Sequence, residues 1–188
     1  MLGNTGMIFD PFENRTCRDI RNNLGHDFVK AIQTKDPGPF KKNIASYPSR
    51  QPNGPVATYI RHRTDCFETI FDQIISHGNQ PDGDIIISIL LWNLELFFEF
   101  HEWLETEWLS AHGAWKNALQ ALILSAIVYE LLTYGRRLPA EKVAAKALLL
   151  FKQHKGIIPD LFDTNLLILK LTELDPVPPK FNIKQHYF

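Results

Sequence analysis

One short run gathers the residue types that do chemistry: His101-Glu102-Trp103-Leu104-Glu105, followed by Trp108. A histidine and a glutamate four positions apart on a helix lie on one face, where they can share a proton, a hydrogen bond or a cation. Drawn away from water, an imidazole and a carboxylate need partners. Three chemistries suit this pattern. His101, Glu105 and the amide of Gln120 can form an internal hydrogen-bond network that fixes helix register. His101 and Glu105 can supply two ligands to a divalent metal. Alternatively, a desolvated Glu105 beside His101 can act as an acid–base pair, with Glu102 and Gln120 completing a polar catalytic cluster.

The spacing also excludes things. A zinc-protease helix needs His-Glu-x-x-His, and Glu105 stands where the second histidine belongs. A carboxylate di-iron bundle needs Glu-x-x-His on two helices, which is absent. There is no glycine-rich phosphate loop, no G-x-S-x-G and no cysteine–histidine nucleophile pattern. His26, His62, His77, His112, His154 and His186 show no ligand spacing and read as surface or turn positions. No cofactor is required by the sequence, and a divalent metal is the one it could accommodate.

The element that must carry these residues is the stretch from Asp84 to Ser110, the most apolar and aromatic-rich in the chain. Wound as one helix at about 100° per residue, it sets Ile87, Leu90, Leu94, Phe97, Phe98, Leu104 and Trp108 in a stripe centred on His101. His101 and Glu105 then fall on the buried face, and Glu95, Glu99 and Thr106 on the solvent side. Trp92, Leu96, Phe100 and Trp103 form a second apolar arc, as expected of a central helix with neighbours on both sides. Glutamates recur through its second half, which argues against a membrane span.

Around it the pattern is helical throughout. Residues 16–34 place Ile20, Leu24, Phe28 and Ile32 on one face, with Thr16 as N-cap and Asp19 three positions on. Phe9 and Phe12 can pin the N-terminal segment onto the body, and Arg15, Arg18 and Arg21 read as a solvated basic face. Residues 35–55 hold five prolines and read as a long loop. Helices follow at 56–78, ended by Gly78, and, beyond a turn in Asn-Gln-Pro-Asp-Gly-Asp, at 84–110. Next comes 114–134, ended by Gly135, whose short connection folds it back so that Gln120 faces the His101 region. Helices at 139–154 and about 163–174 complete the set. The tail, 175–188, carries Pro176, Pro178 and Pro179 and should be extended or poorly ordered.

No period-two alternation and no internal repeat appear. The expectation is an all-α protein: one compact helical bundle of about six helices around a central long helix, 84–110. A single domain, 1–188, would comprise an N-terminal helical extension (1–83, with the proline-rich loop 35–55), a core (84–174) and the tail (175–188).

The chain has 188 residues, 45% apolar and 22% charged, with net charge −1. That is a globular composition without the basic field that would hold nucleic acid or an anionic membrane. Cys17 and Cys66 make neither a disulfide framework nor a metal motif, so free thiols in a reducing compartment are expected. The first ten residues lack a basic and an apolar region, so no signal peptide is expected and the location is taken as cytoplasmic. The four tryptophans read as packing residues.

The run Phe97-Phe98-Glu99-Phe100-His101-Glu102-Trp103-Leu104-Glu105-Thr106-Glu107-Trp108 resembles the F-x-E-x-H-E-x-L-E-x-x-W signature of a bacterial and archaeal family, domain of unknown function 309. The likeness continues through Ala118-Leu119-Gln120-Ala121-Leu122-Ile123 and an alanine-rich helix, covering roughly residues 88–154, and Arg18-Asp19-Ile20-Arg21-Asn22 resembles an extension found in a bacterial subgroup. The resemblance implies a compact all-α fold and assigns no activity. The chain departs from the family's Gly-Asn-x-x-Gly turn, having Gly135-Arg136-Arg137-Leu138-Pro139 instead. Two functions are therefore expected: a non-enzymatic module that binds a protein partner or self-associates, favoured by the long proline-rich loop and the apolar excess of the central stretch, or a small-molecule enzyme or metal-binding protein centred on His101, Glu102 and Glu105.

Overall fold

The computed structural model describes residues 8–47, 54–77 and 83–182, and among them every regular element is helical. Eight α-helices run in order: α1 (Arg15–Thr34), α2 (Gly38–Ser46), α3 (Pro55–His77), α4 (Gly83–Asn93), α5 (Phe97–Ser110), α6 (Gly113–Thr133), α7 (Arg137–His154) and α8 (Thr164–Glu173), with a 3₁₀ turn at Lys155–Ile157 after α7. The all-α expectation is met. No helix of the described residues is long and apolar enough to cross a membrane. The first seven residues, Pro48, Pro52, Gly78, most of the turn at 79–84 and His186 lie outside the described residues.

Two expectations about the elements are corrected. The proline-rich segment 35–55 is not all loop, because α2 forms inside it with Pro39 at the start, where a missing N–H costs nothing. The stretch 84–110 is not one long helix. It is two, α4 and α5, separated at Leu94–Leu96. The break is a helix-ending hydrogen-bond pair: Glu95 N–H donates to Trp92 O at 2.9 Å and Leu96 N–H to Leu91 O at 2.9 Å. That pattern requires a left-handed residue, and Glu95 supplies it at φ 58°. α1 ends the same way at Lys35, α6 at Gly135 and α8 at Leu174.

The chain divides into two compact units, Met1–Ser76 and His77–Phe188. In the first, the Asn14 side chain caps α1 by accepting from Cys17 N–H at 3.1 Å, so the cap falls two residues before the expected Thr16. The core is aromatic. Phe28 meets Phe40 and Phe67 edge-on, with centroids 5.4 and 4.9 Å away, and Phe40 lies 4.1 Å from Phe67. Phe9 is buried and stacked on Tyr59 at 3.8 Å. Arg18 donates to Pro11 O and Phe12 O, and Arg21 lies over the Phe12 ring, so these two arginines fasten the N-terminal segment.

In the second unit α6 packs along both α5 and α7. Ala140, Ala144, Ala147 and Phe151 recur at helical spacing on the buried face of α7; small side chains there let two backbones approach closely. Trp92 is fully buried at the centre of an aromatic cluster with Phe97, Phe100, Tyr129 and Phe181, each with its centroid 5.2 to 5.4 Å away. Burial pushes the Tyr129 phenol above its ordinary pKa, and the negative charge of Asp175 adds to the shift. Its hydroxyl makes no hydrogen bond.

After α8 the chain turns at Leu174 and runs without helix across the α4–α5 break. Pro178, Pro179 and Phe181 are buried there. Trp92 Nε1 donates to Pro179 O at 2.7 Å. The Asn93 amide pairs with the backbone of a single residue, donating to Phe181 O at 2.7 Å and accepting from Phe181 N–H at 2.9 Å. Lys180 Nζ reaches Asn93 O at 2.8 Å and Glu95 Oε1 at 2.7 Å. The described part of the tail carries no helix and is also part of the core.

Candidate functional site

α5 starts at Phe97 with its first turn buried on all sides: Phe97, Phe98, Glu99 and Phe100 are each at most 5% exposed. Beyond it only Leu104 is buried, which centres the buried face between Phe100 and Leu104 rather than on His101. The sequence stripe had borrowed its centre from Ile87, Leu90 and Leu94. These belong to α4 or the break, and the break resets the helical phase. Two assignments change as a result. Glu99, expected on the solvent side, is fully buried. Glu105, expected on the buried face, has a side chain 47% exposed.

His101, Glu102 and Glu105 therefore sit on the flank of α5 where packing gives way to solvent, with His101 and Glu102 side chains 19% and 21% exposed. The imidazole lies edge-on to Phe98, centroid to centroid 5.7 Å. Its two nitrogens face different carboxylates. Nε2 stands 3.2 Å from Glu105 Oε1, one helical turn on, and Nδ1 stands 3.9 Å from Glu102 Oε1. Nδ1 is buried and makes no hydrogen bond. One donor atom from each of the three residues lies within 4.8 Å of the others, and among the described residues this is the group with the composition and spacing to hold a metal ion.

Gln120, the fourth expected member, is half-buried on α6 and makes no hydrogen bond to the trio. The expected fold-back is present all the same, and other residues fasten it. Trp115 Nε1 donates to Glu107 Oε1 at 2.7 Å, and Lys116 Nζ lies 4.3 Å over the Trp108 ring. Trp103 Nε1 donates to Asp84 O at 3.3 Å, tying α5 to the start of α4.

One contact was missed at the sequence level. His62 and Cys66 are four apart on α3, and Cys66 Sγ lies 3.8 Å from His62 Nε2. The i, i+4 spacing was the available signal. Cys66 is buried, and both cysteines are free thiols.

Residues 88–143 match the family described as domain of unknown function (DUF309), the family that the His-Glu-x-x-Glu-x-x-Trp helix resembles. The match spans the end of α4, the break, α5, α6 and the start of α7, and so contains the whole trio. No curated protein and no solved structure matches the chain.

Proposed function

We propose that this protein binds a divalent transition-metal ion at His101, Glu102 and Glu105. The observation that carries the reading is the 3.2 Å separation of His101 Nε2 and Glu105 Oε1 on a half-exposed flank. Two donors each about 2.0–2.2 Å from one cation, at angles near 90–110°, lie roughly 3.0–3.5 Å apart. An imidazole with carboxylates suits zinc, manganese or iron. With Nε2 on the cation, Nδ1 would keep its proton and face Glu102 Oε1, 3.9 Å away, and a closer approach would give the hydrogen bond by which a carboxylate orients a ligating histidine. Such a cation supplies Lewis-acid chemistry to bound water or a carbonyl. The reading leaves Gln120 out, because its amide bonds none of the three.

The test is elemental analysis of chain purified without chelator or affinity tag, beside His101→Ala. We expect near-stoichiometric metal in the parent protein, lost in the variant. Equal metal content in the two, or none in either after incubation with zinc or manganese, would sink the reading.

A second reading, self-association, is supported by large apolar side chains left in water on the second unit. Leu138 and Leu149 are 74% and 59% exposed. At about 100° per residue, their spacing of eleven puts them on one side of α7. Light scattering across a concentration series tests it, and a strict monomer would count against it.

A further inference from the structure

The segment after α8 is bound to the body of its own unit as a peptide ligand is bound to a receptor. Asn93 holds both the N–H and the C=O of Phe181, Trp92 holds Pro179 O, Lys180 crosses to Glu95, and the Phe181 ring packs on Trp92 and Phe162. The hydrogen-bond partners are 85 to 88 residues away in sequence, so the corner at Trp92–Glu95 makes no use of the local connection to α8. The connection itself is short and strained. Leu174 sits in the left-handed region at φ 49°, a conformation that a side chain with Cβ rarely adopts. The next residues, Asp175-Pro176-Val177, run to the buried Pro178.

We propose that residues 176–182 form an exchangeable arm: in a dimeric state each copy's arm docks on the Trp92–Asn93–Glu95 corner of the other copy. This deepens the self-association reading and rests on it. A second copy is the occupant that reproduces every contact of the closed form, because it carries the same Pro-Pro-Lys-Phe sequence. Exchange keeps all of those hydrogen bonds and lets Leu174 leave the left-handed region at the expense of the two bonds that end α8, Leu174 N–H to Leu171 O and Asp175 N–H to Lys170 O, so the closed form holds the advantage of that cap and of an intramolecular connection. A short hinge under strain with an arm whose hydrogen bonds to the body all reach residues distant in sequence is the arrangement from which domain exchange arises.

The Lys180–Glu95 pair offers a direct test because its side chains are 50% and 52% exposed and can be reversed without opening the core. Full-length Glu95→Lys places two lysines at the closed contact, and full-length Lys180→Glu places two glutamates there. One chain is ¹⁵N-labelled, and the two are unfolded together, refolded at high concentration and weighed by native mass spectrometry. Arm exchange between unlike chains restores opposite charges at both corners, so mixed dimers should exceed either homodimer by about tenfold. Dimers in the statistical ratio of one homodimer to two mixed dimers to one homodimer would overturn arm exchange while leaving self-association standing. Monomers throughout, in wild type as well, would overturn both. Should a reversal cost the fold, labelled and unlabelled wild-type chains are refolded together with excess synthetic peptide of residues 176–182. The dimer fraction should fall several-fold as the peptide occupies the corner, and an unchanged fraction would overturn the proposal.

Discussion

A histidine with a carboxylate near each nitrogen is costly only where water is excluded, and His101 is not sealed. Its closest partner, Glu105, has nearly half of its side chain in solvent. Ion pairs of that exposure contribute about 0–1 kcal/mol. Glu105→Ala should therefore lower stability by less than about 1 kcal/mol, while removing one of the two closest donors of the proposed metal site. A denaturation midpoint that falls much further in metal-free protein would mean that the pair is a structural network. Tyr129 gives the opposite case. Its hydroxyl is buried among Trp92 and Phe97 and makes no hydrogen bond. A polar group desolvated without a partner costs on the order of 1–3 kcal/mol. Tyr129→Phe should raise stability by about 1 kcal/mol, read from the urea midpoint, and a loss of stability would mean that the oxygen has a partner. The trio was legible because Glu105 lies four positions after His101 and three after Glu102, and such pairs are neighbours on a helix whatever surrounds them. The depths of Glu99 and Glu105 were not, since they depend on where the helix begins and on what packs around its first turn.

Four helices end on the same hydrogen-bond pattern, and only α6 has the glycine that announces it, Gly135. α1 ends at Lys35 and α8 at Leu174, each followed two residues later by a proline, Pro37 and Pro176, which the sequence does display. α4 ends at Glu95 with neither signal, and that is the boundary lost in the run of apolar residues from Ile85 to Phe100. Tertiary packing compensates for the strained residue, notably the seating of Trp92 against Phe97 and Phe100 across the break. The strain is separable from the charge. Glu95→Gly and Glu95→Ala both remove the Lys180 pair, but only glycine is at ease at positive φ. The glycine variant should be the more stable by about 1 kcal/mol in matched denaturant titrations. Equal midpoints would show that the left-handed residue carries no cost.

Across the whole chain, helical class and most helix spans followed from period and punctuation, whereas the division into two compact units did not, since no composition shift marks the boundary near residue 77. The packing of the tail was equally hidden. Three prolines in seven residues argue for extended backbone, and nothing local says that Phe181 has a place beside Trp92. At the root of that tail, the Lys170 ammonium 2.6 Å from Asp175 holds the carboxyl below its ordinary pKa, helped by Val177 N–H. A group whose folded pKa is depressed contributes stability above the ordinary carboxylate range and loses it as pH falls through that range and then through the lowered value. The difference in thermal midpoint between wild type and Asp175→Asn should be widest near neutrality and close below about pH 4. A gap that does not change with pH would remove Asp175 from the account.

The span between Trp92 and its cover also sets a clock. A ribosome adding about 5–20 residues per second needs a further 4–17 seconds or so after Trp92 to reach Pro179, 87 residues later. For that interval the nascent chain holds its largest aromatic nucleus without the Pro-Pro-Lys-Phe segment that closes over it. The second unit therefore completes its core only once the segment 87 residues beyond Trp92 has been made.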